Sequence, residues 1–439
     1  MSRKIWGIRN SAIAVSLTIA VCINLFSATA FAKEDDGLLH EGYQLQQVVV
    51  LSRHNIRAPL SGGDSLLGKV TPYTWHEWSS SPSELSLKGG VLETEMGQFF
   101  RKWLVSQGLI TENYHPADGE VRVYSNSKQR TIATAQYFTA GMMPTANVRI
   151  EYHSEFDTMD PVFNPQLTFC TDEYVKDVTN QINALHSKEI AELQDNYDLV
   201  SRVVDMKDSK AWKSGEVTKL VTTDNVYSIK TFDEPRVKGS ASTAVSISDA
   251  LVLQYYEETN DSAAGFGKKL SNKQWKEISE IKDAYGEIMF GTPLLAANVA
   301  YPLVNEINSE MKNPSRKFTF LCGHDSNIGS VLADLGVQSY EAPNSVESRT
   351  PIGSKIVFSK WSNATGENFW DVDLVYQTTE QLRAVSMLDL TNPPQIYDLK
   401  FNSITPNEDG LYREQDINDM FQRAINNYFM IRDYYEASL

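Results

Sequence analysis

The chain has 439 residues, of which 40 are basic and 56 are acidic, so its net charge at neutral pH is −16. A chain of this length exceeds a typical single domain, and two folding units are expected. The acidic charge argues against nucleic acid or an anionic membrane as a partner, because both attract basic surfaces.

The N-terminal segment has the pattern of a secretory signal peptide. Three basic residues precede an apolar stretch over residues 12–26, and small residues follow it. We expect cleavage after Ala32, which leaves residues 33–439 as the exported chain with no membrane association. An uncleaved membrane anchor is the alternative, although the apolar stretch is short for a bilayer span.

Further along the chain, three predicted strands end at charged or polar motifs. Because each strand is followed by a loop or helix, the pattern predicts an α/β fold with a mostly parallel sheet flanked by helices on both faces. Ligands bind beyond the carboxyl ends of such strands, so the three motifs are expected to meet there. The strands and their motifs are residues 44–51 before Arg53-His54, 120–124 before Arg130, and 318–322 before His324-Asp325.

The segment between the second and third strands has a different texture. Helical patterns occur over residues 172–199 and 248–258, and strand signals are sparse. We therefore predict a mainly helical cap domain, inserted over residues 161–283. The α/β core would comprise residues 33–160 and 284–439, with a β-hairpin (352–361 and 369–376) and a final helix (415–435).

Two arginines flank one histidine directly after the first strand. The guanidinium groups of Arg53 and Arg57 each present a fork of donors that matches phosphate oxygens. An imidazole between them, here His54, is a competent nucleophile near neutral pH. The grouping therefore predicts covalent phosphoryl transfer through nitrogen, and an ordinary surface turn is the alternative.

The third motif supplies a second histidine and a carboxyl group. His324 can donate to a phosphate oxygen, and Asp325 can protonate a leaving alcohol. That second role requires a protonated carboxyl, which suits an acidic working pH or a pKa raised by burial. The alternative is a simple helix N-cap. Arg130 is a third cation by its place after the second strand, although a solvated helix position is its alternative.

Two cysteines remain after residue 32, Cys170 and Cys322. Their even number and the predicted export permit a disulfide. Cys322 lies in an apolar strand, where a buried free thiol is equally compatible. The sequence leaves both states open.

These motifs resemble the two signatures of the histidine acid phosphatases, a family with the phosphoglycerate-mutase-like fold. The resemblance extends over nearly the whole chain after residue 32. It is strongest to bacterial periplasmic members that act on glucose 1-phosphate. The related phytases usually carry glycine after the nucleophile, where this chain has Asn55. The stretches that carry the resemblance are residues 53–60, 254–257, 323–328 and 349–353.

The resemblance implies a role for each site residue. His54 would become phosphohistidine, and Asp325 would protonate the leaving oxygen and later help water to attack. Glu234 matches an acidic residue that reaches from the cap into the sugar-phosphate pocket, with a solvated loop charge as the alternative. No metal or other cofactor is implied, because arginines supply the positive charge. Four residues would hold the phosphate: Arg53, Arg57, Arg130 and His324.

The resulting expectation is a periplasmic acid phosphatase whose partner is a small phosphomonoester, glucose 1-phosphate or a similar sugar phosphate. A phytase or a broad-specificity phosphatase is the enzymatic alternative. The acidic composition and Asp233-Glu234 disfavour the highly charged phytate. A non-catalytic periplasmic phosphate-binding protein is the alternative from another class. The sequence does not indicate the oligomeric state.

Overall fold

A computed structural model describes residues 39–61 and 65–437, so the predicted signal peptide over residues 1–32 lies outside the described residues. The strands are β1 (Tyr43–Arg53), β2 (Val121–Ser125), β3 (Ile150–Glu151), β4 (Val226–Ser228), β5 (Arg236–Lys238), β6 (Phe318–Gly323), β7 (Lys355–Asn363), β8 (Asn368–Tyr376), β9 (Gln395–Asp398) and β10 (Tyr412–Arg413).

The helices alternate with these strands in the first and last thirds of the chain and dominate the middle. A 3₁₀ turn (Met206–Asp208) and a π-helical turn (Glu287–Gly291) complete them. The α-helices are α1 (Leu66–Lys69), α2 (Leu87–Ser106), α3 (Gln129–Met142), α4 (Asp172–Glu192), α5 (Gln194–Val203), α6 (Lys210–Ser214), α7 (Ser240–Glu257), α8 (Asp261–Ala264), α9 (Asn272–Gly286), α10 (Pro293–Met311), α11 (Asp325–Asp334), α12 (Thr379–Ala384) and α13 (Glu414–Glu436).

A mixed sheet forms the centre of the fold. In the part of the chain that the structure describes, it has eight strands in the order β10-β8-β7-β1-β6-β2-β3, with β9 also paired to β8. Strands β1, β6, β2 and β3 are neighbours that run parallel to one another. Strands β7, β8, β9 and β10 add an antiparallel half. The predicted α/β class is confirmed, and the predicted hairpin is the β7–β8 pair. The sheet is mixed where a mostly parallel one was predicted, because this hairpin joins β1 antiparallel.

Helices cover both faces of this sheet because β1 is apolar on both sides. Val49 and Leu51 pack into a core with residues of α10, α11 and α13. Val48 and Val50, which point the other way, pack with residues of α2 and α3. All four side chains are fully buried, as in the interior strands of parallel sheets. This arrangement holds the end of β1 rigidly.

The predicted cap segment, residues 161–283, is mainly helical, with α4 to α9 and the small β4–β5 sheet. Its apolar side chains form a cluster that includes Leu251 and Ile278, and that cluster also contains Ile56 and Ile352 from the rest of the chain. Helix α4 ends at Glu192 instead of continuing to residue 199 as predicted. That residues 161–283 form a separate domain stays a prediction.

Cys170 and Cys322 are both free thiols, so the described cysteines form no disulfide. Burial raises the pKa of the Cys322 thiol well above its ordinary value. By length and composition, no single described helix could cross a membrane, and one strongly bent pair, Asn272–Gly291 with Pro293–Met311, passes the same criteria.

Candidate active site

The three predicted motifs meet at one edge of the sheet. Strand β6 lies between β1 and β2 and runs parallel to both, with Gly323 opposite Arg53 and Cys322 opposite Ser125. The chain segments that leave these strand ends therefore enclose a common cavity of about 690 Å³. Six of the seven predicted site residues line it: His54, Arg57, Arg130, Glu234, His324 and Asp325.

His54 is held by its own backbone and by its ring. Its N–H donates to the Gly323 carbonyl at 3.0 Å, and its carbonyl accepts from the Gly353 N–H at 3.1 Å. Ring Nδ1 lies 2.8 Å from the Asn55 carbonyl oxygen. Because a carbonyl can only accept, Nδ1 carries the proton and Nε2 keeps its lone pair.

The electrostatic surroundings keep His54 neutral. Burial lowers the pKa of this imidazole well below its ordinary value, and the nearby Arg130 and Arg57 lower it further. A nitrogen nucleophile must be unprotonated to attack. The lone pair of the His54 ring therefore stays free in acidic solution, where an exposed histidine would be charged.

Arg57 and Arg130 bring positive charge to the cavity. Burial and the charge of Arg57 lower the pKa of Arg130 to about 10. The buried Nε atoms of both side chains have no hydrogen-bond partner among the described residues. Buried donors are normally satisfied, so these groups are preorganised for an oxyanion.

Arg53 occupies a different position from the other predicted phosphate ligands. Its side chain is 1% exposed and does not line the cavity. Nη1 donates to Glu347 Oε1 at 2.6 Å and to the Thr350 carbonyl, and Nη2 lies 3.4 Å from Asp325 Oδ2. Arg53 thus contacts the predicted proton donor from behind the cavity wall.

His324 and Asp325 lie where β6 passes into α11. The His324 N–H donates to Asn327 Oδ1 at 2.9 Å, which caps the helix. Its ring Nε2 lies 2.6 Å from the Asn126 amide nitrogen and accepts from it. The proton is therefore on Nδ1, which lies 3.5 Å from Arg130 Nη2. The rings of His54 and His324 are 5.5 Å apart, so both face the same small volume.

Two charged residues of the site, Asp249 and Lys282, were not predicted from the sequence. Lys282 Nζ lies 2.8 Å from Asp325 Oδ2 and 3.1 Å from Asp249 Oδ1, and Asp249 Oδ2 lies 3.0 Å from Arg57 Nη2. They belong to α9 and α7, far from the motifs in sequence. The one available signal is a lone acid, Asp249, before the apolar run 250–253.

These ion pairs reverse one expectation for Asp325. Burial raises its pKa, but the charges of Lys282 and Arg53 outweigh burial, so the pKa lies well below the ordinary value. The balance is the same at Asp249, whose pKa falls to about 2 through Arg57 and Lys282. Of the two routes to a protonated Asp325 that the sequence leaves open, this pKa direction disfavours a pKa raised by burial and leaves an acidic working pH.

Glu234 lines the cavity from the loop between β4 and β5. Burial raises its pKa to about 7, so the carboxyl is protonated in acidic solution. Its neighbour Asp233 does not line the cavity and instead pairs with Arg236 at 2.5 Å. Glu234 is therefore a neutral hydrogen-bonding group on the wall of the cavity.

The fold and the site together define a phosphatase: an α/β sheet whose strand ends hold a neutral histidine among arginines. The family model of the histidine phosphatase superfamily (branch 2) matches residues 44–377. The chain belongs to this superfamily, which confirms the resemblance drawn from its motifs.

Named relatives agree with this assignment. The chain is 36% identical over 374 residues to a glucose-1-phosphatase of Salmonella typhimurium, covering 84% of this chain and 90% of that protein. It is 35% identical over 387 residues to a glucose-1-phosphatase of Providencia rettgeri, covering 87% and 92%. The solved phytase of Citrobacter braakii superposes with a TM-score of 0.77 at 25% identity, covering 88% of this chain and 98% of that one.

Proposed function

We propose that this phosphatase is a periplasmic acid phosphatase for small phosphomonoesters, chiefly glucose 1-phosphate and similar sugar phosphates. The observation that carries the proposal is the state of His54, a buried neutral imidazole whose Nδ1–H donates to the Asn55 carbonyl. In the proposed reaction Nε2 attacks phosphorus, the P–O ester bond breaks, and the leaving oxygen takes a proton from Asp325. Water then attacks phosphorus and gives a proton to Asp325, while the P–N bond breaks and returns His54 as a neutral imidazole together with inorganic phosphate.

Three arginines and one neutral imidazole would stabilise the transferring phosphoryl group. Arg57, Arg130 and the Nδ1–H of His324 face the cavity and would bind its oxygens. Arg53 would add its charge from behind Asp325. A dianionic phosphomonoester placed beside Asp325 opposes the field of Lys282 and Arg53. Its binding therefore raises the pKa of Asp325 and favours the protonated, donating form.

The charge of the outer cavity supports a substrate with one phosphate. Two further arginines line it, and both are already paired: Arg236 with Asp233 at 2.5 Å and Arg349 with Glu287 at 3.5 Å. A polyphosphorylated substrate such as phytate needs additional unpaired cations at the rim. The protonated Glu234 carboxyl instead suits a sugar hydroxyl. The names of the glucose-1-phosphatase relatives point the same way.

The covalent step is tested by replacing His54 with alanine. Turnover of p-nitrophenyl phosphate is expected to fall by on the order of 10⁴-fold, because the nucleophile is lost. An exposed histidine provides the matched control, and His115→Ala should retain full activity. With labelled substrate in acid, the wild-type chain should carry its label on His54 as an acid-labile adduct.

A label on serine or aspartate would contradict this mechanism. Wild-type chain that binds phosphate without any turnover would favour the non-catalytic phosphate-binding alternative.

The substrate is tested by comparing glucose 1-phosphate, phytate and p-nitrophenyl phosphate. We expect the highest kcat/KM for glucose 1-phosphate. Glu234→Ala should lower that value by about 10-fold, the worth of one hydrogen bond, and leave p-nitrophenyl phosphate unaffected. Glu234→Gln, which keeps a neutral hydrogen-bonding group, should retain most of the preference. Preferential turnover of phytate would identify the phytase alternative.

A further inference from the structure

A fully buried ion pair lies behind the nucleophile and outside the cavity. Lys355 Nζ at the start of β7 lies 2.8 Å from Glu93 Oε1 on α2, and both side chains are 0% exposed. Neither residue lines the cavity. Removing two charges from water is costly, and such pairs contribute little to stability compared with apolar residues of the same size. A role in positioning neighbouring residues therefore explains this pair better than a contribution to stability.

Both members of the pair connect to the loop that carries His54, Glu93 directly through Asn55 and Lys355 through Gly353. Lys355 Nζ donates to the Gly353 carbonyl at 2.9 Å, and the Gly353 N–H donates to the His54 carbonyl at 3.1 Å. On the other side, Asn55 Nδ2 donates to Glu93 Oε2 at 2.9 Å. The Asn55 carbonyl accepts from His54 Nδ1 at 2.8 Å. The contacts form a closed circuit that begins and ends at the nucleophile.

Asn55 is held in this circuit by hydrogen bonds of both its side chain and its backbone. Its Oδ1 accepts from the Ile56 N–H at 2.9 Å, and its backbone N–H donates to Thr134 Oγ1 at 3.2 Å. Every polar group of the residue is thus occupied, and the residue is 0% exposed. Gly353 has φ +69°, and a Cβ there would lie 2.6 Å from Asn55 Nδ2. The Asn55 amide therefore fills the space that a side chain at residue 353 would need.

We propose that Asn55 is a positioning residue for the nucleophile. Its side chain, anchored on the Glu93–Lys355 pair, fixes the direction of the Asn55 carbonyl, which holds Nδ1–H of His54 and so aims Nε2 into the cavity. The inference rests on the proposed function, because it concerns the aim of the same imidazole. Glu93 and Lys355 act through Asn55 and do not touch the substrate.

The test exchanges the polarity of the contact between residues 55 and 93. Asn55→Asp places a carboxylate oxygen against Glu93 Oε2, where the amide donated at 2.9 Å. We expect kcat to fall by about 10- to 100-fold with KM changed by less than about twofold, since the imidazole is misaimed while the phosphate ligands remain. Adding Glu93→Gln returns a donor to the contact between residues 55 and 93, and it moves the negative charge of that contact from residue 93 to residue 55. The double variant should recover kcat to within about threefold of the wild type.

A matched control separates aim from stability. Asn298 is another fully buried amide, bonded to the Phe169 carbonyl at 2.9 Å and remote from the cavity lining. Asn298→Asp should lower the melting temperature and leave kcat unchanged. If Asn55→Asp does not fold, Asn55→Ala removes the donor without adding charge, and the same fall in kcat is expected.

Two results would overturn the inference: a folded Asn55 variant with kcat within about twofold of the wild type, or a folded double variant that recovers nothing. Trapping of the labelled intermediate keeps this outcome apart from a failure of the proposed function. Wild-type chain without phosphohistidine overturns the function itself. Wild-type chain with phosphohistidine, beside unaffected Asn55 variants, overturns only the positioning role.

Discussion

At the scale of single residues, Lys282 decides the charge state of the proposed proton donor. Burial and the charge of Arg53 lower the pKa of Lys282, but Asp325 and Asp249 outweigh them and raise it above its ordinary value. The ammonium group therefore stays charged and holds Asp325 as a carboxylate. On the proposed pathway, proton donation from Asp325 becomes favourable when an incoming phosphate competes for the same cation.

Lys282→Met should move the basic limb of the kcat/KM profile to higher pH. The profile of kcat/KM reports the free enzyme, in which loss of the ammonium raises the pKa of Asp325. The donor then remains protonated over a wider range. We also expect KM for a phosphomonoester to rise by about 10-fold, because one cation of the cavity is lost.

Lys282→Arg is the control, since it keeps the charge and should keep the basic limb near its wild-type position. A Lys282→Met profile that superposes on the wild type would show that another group sets this limb.

At the scale of the elements, a close helix crossing fixes the two sides of the loop that carries His54. A Cβ at Gly97 of α2 would lie 2.1 Å from the Phe138 carbonyl, and one at Gly141 of α3 would lie 2.1 Å from the Thr94 carbonyl. Only glycine at both positions allows the backbones to approach so closely. Helix α2 carries Glu93 and α3 carries Thr134, so this crossing sets the distance between the two anchors of Asn55.

The same scale shows why part of the molecule could be predicted from sequence. Strands β1, β2 and β6 have recognisable strand patterns and lead into charged or polar motifs, and parallel neighbours bring such ends together. The β7–β8 hairpin could also be predicted, but its pairing with β1 could not, because no local pattern encodes which strand an edge joins. Lys282 could not be predicted from the sequence, because its ion pairs form only where α9 meets α7 and α11. The placement of Arg53 behind Asp325 likewise depends on Glu347, which is 294 residues away.

At the scale of the whole molecule, stability depends on buried and partly buried groups that titrate in opposite directions. Burial raises the pKa of Glu234, Asp283 and Asp334 to about 7. Between about 4 and 7 the folded chain retains protons that the unfolded chain has released, so these groups lower stability as pH rises. His54 and His324, whose pKa values burial lowers, act in the opposite sense below about 6.5.

Asp334 isolates one of these contributions. It ends α11, where the helix dipole disfavours negative charge, and its Oδ2 has no hydrogen-bond partner among the described residues. In urea unfolding, Asp334→Asn should match the wild type near pH 5, where the carboxyl is protonated. Near pH 8, where the wild-type carboxyl is ionised, the free energy of unfolding of the variant should exceed that of the wild type by at least about 1 kcal/mol. Equal gains at both pH values would show that its charge is irrelevant to stability.

The hydrogen bond from His54 to a main-chain carbonyl has a consequence for the lifetime of the proposed intermediate. An ionised acid in that place would make the ring more basic and would strengthen its bond to phosphorus. A neutral peptide oxygen orients the ring without enriching it in electrons. On the proposed pathway the P–N bond therefore stays energy-rich and labile, so the imidazole that accepts the phosphoryl group also releases it readily to water.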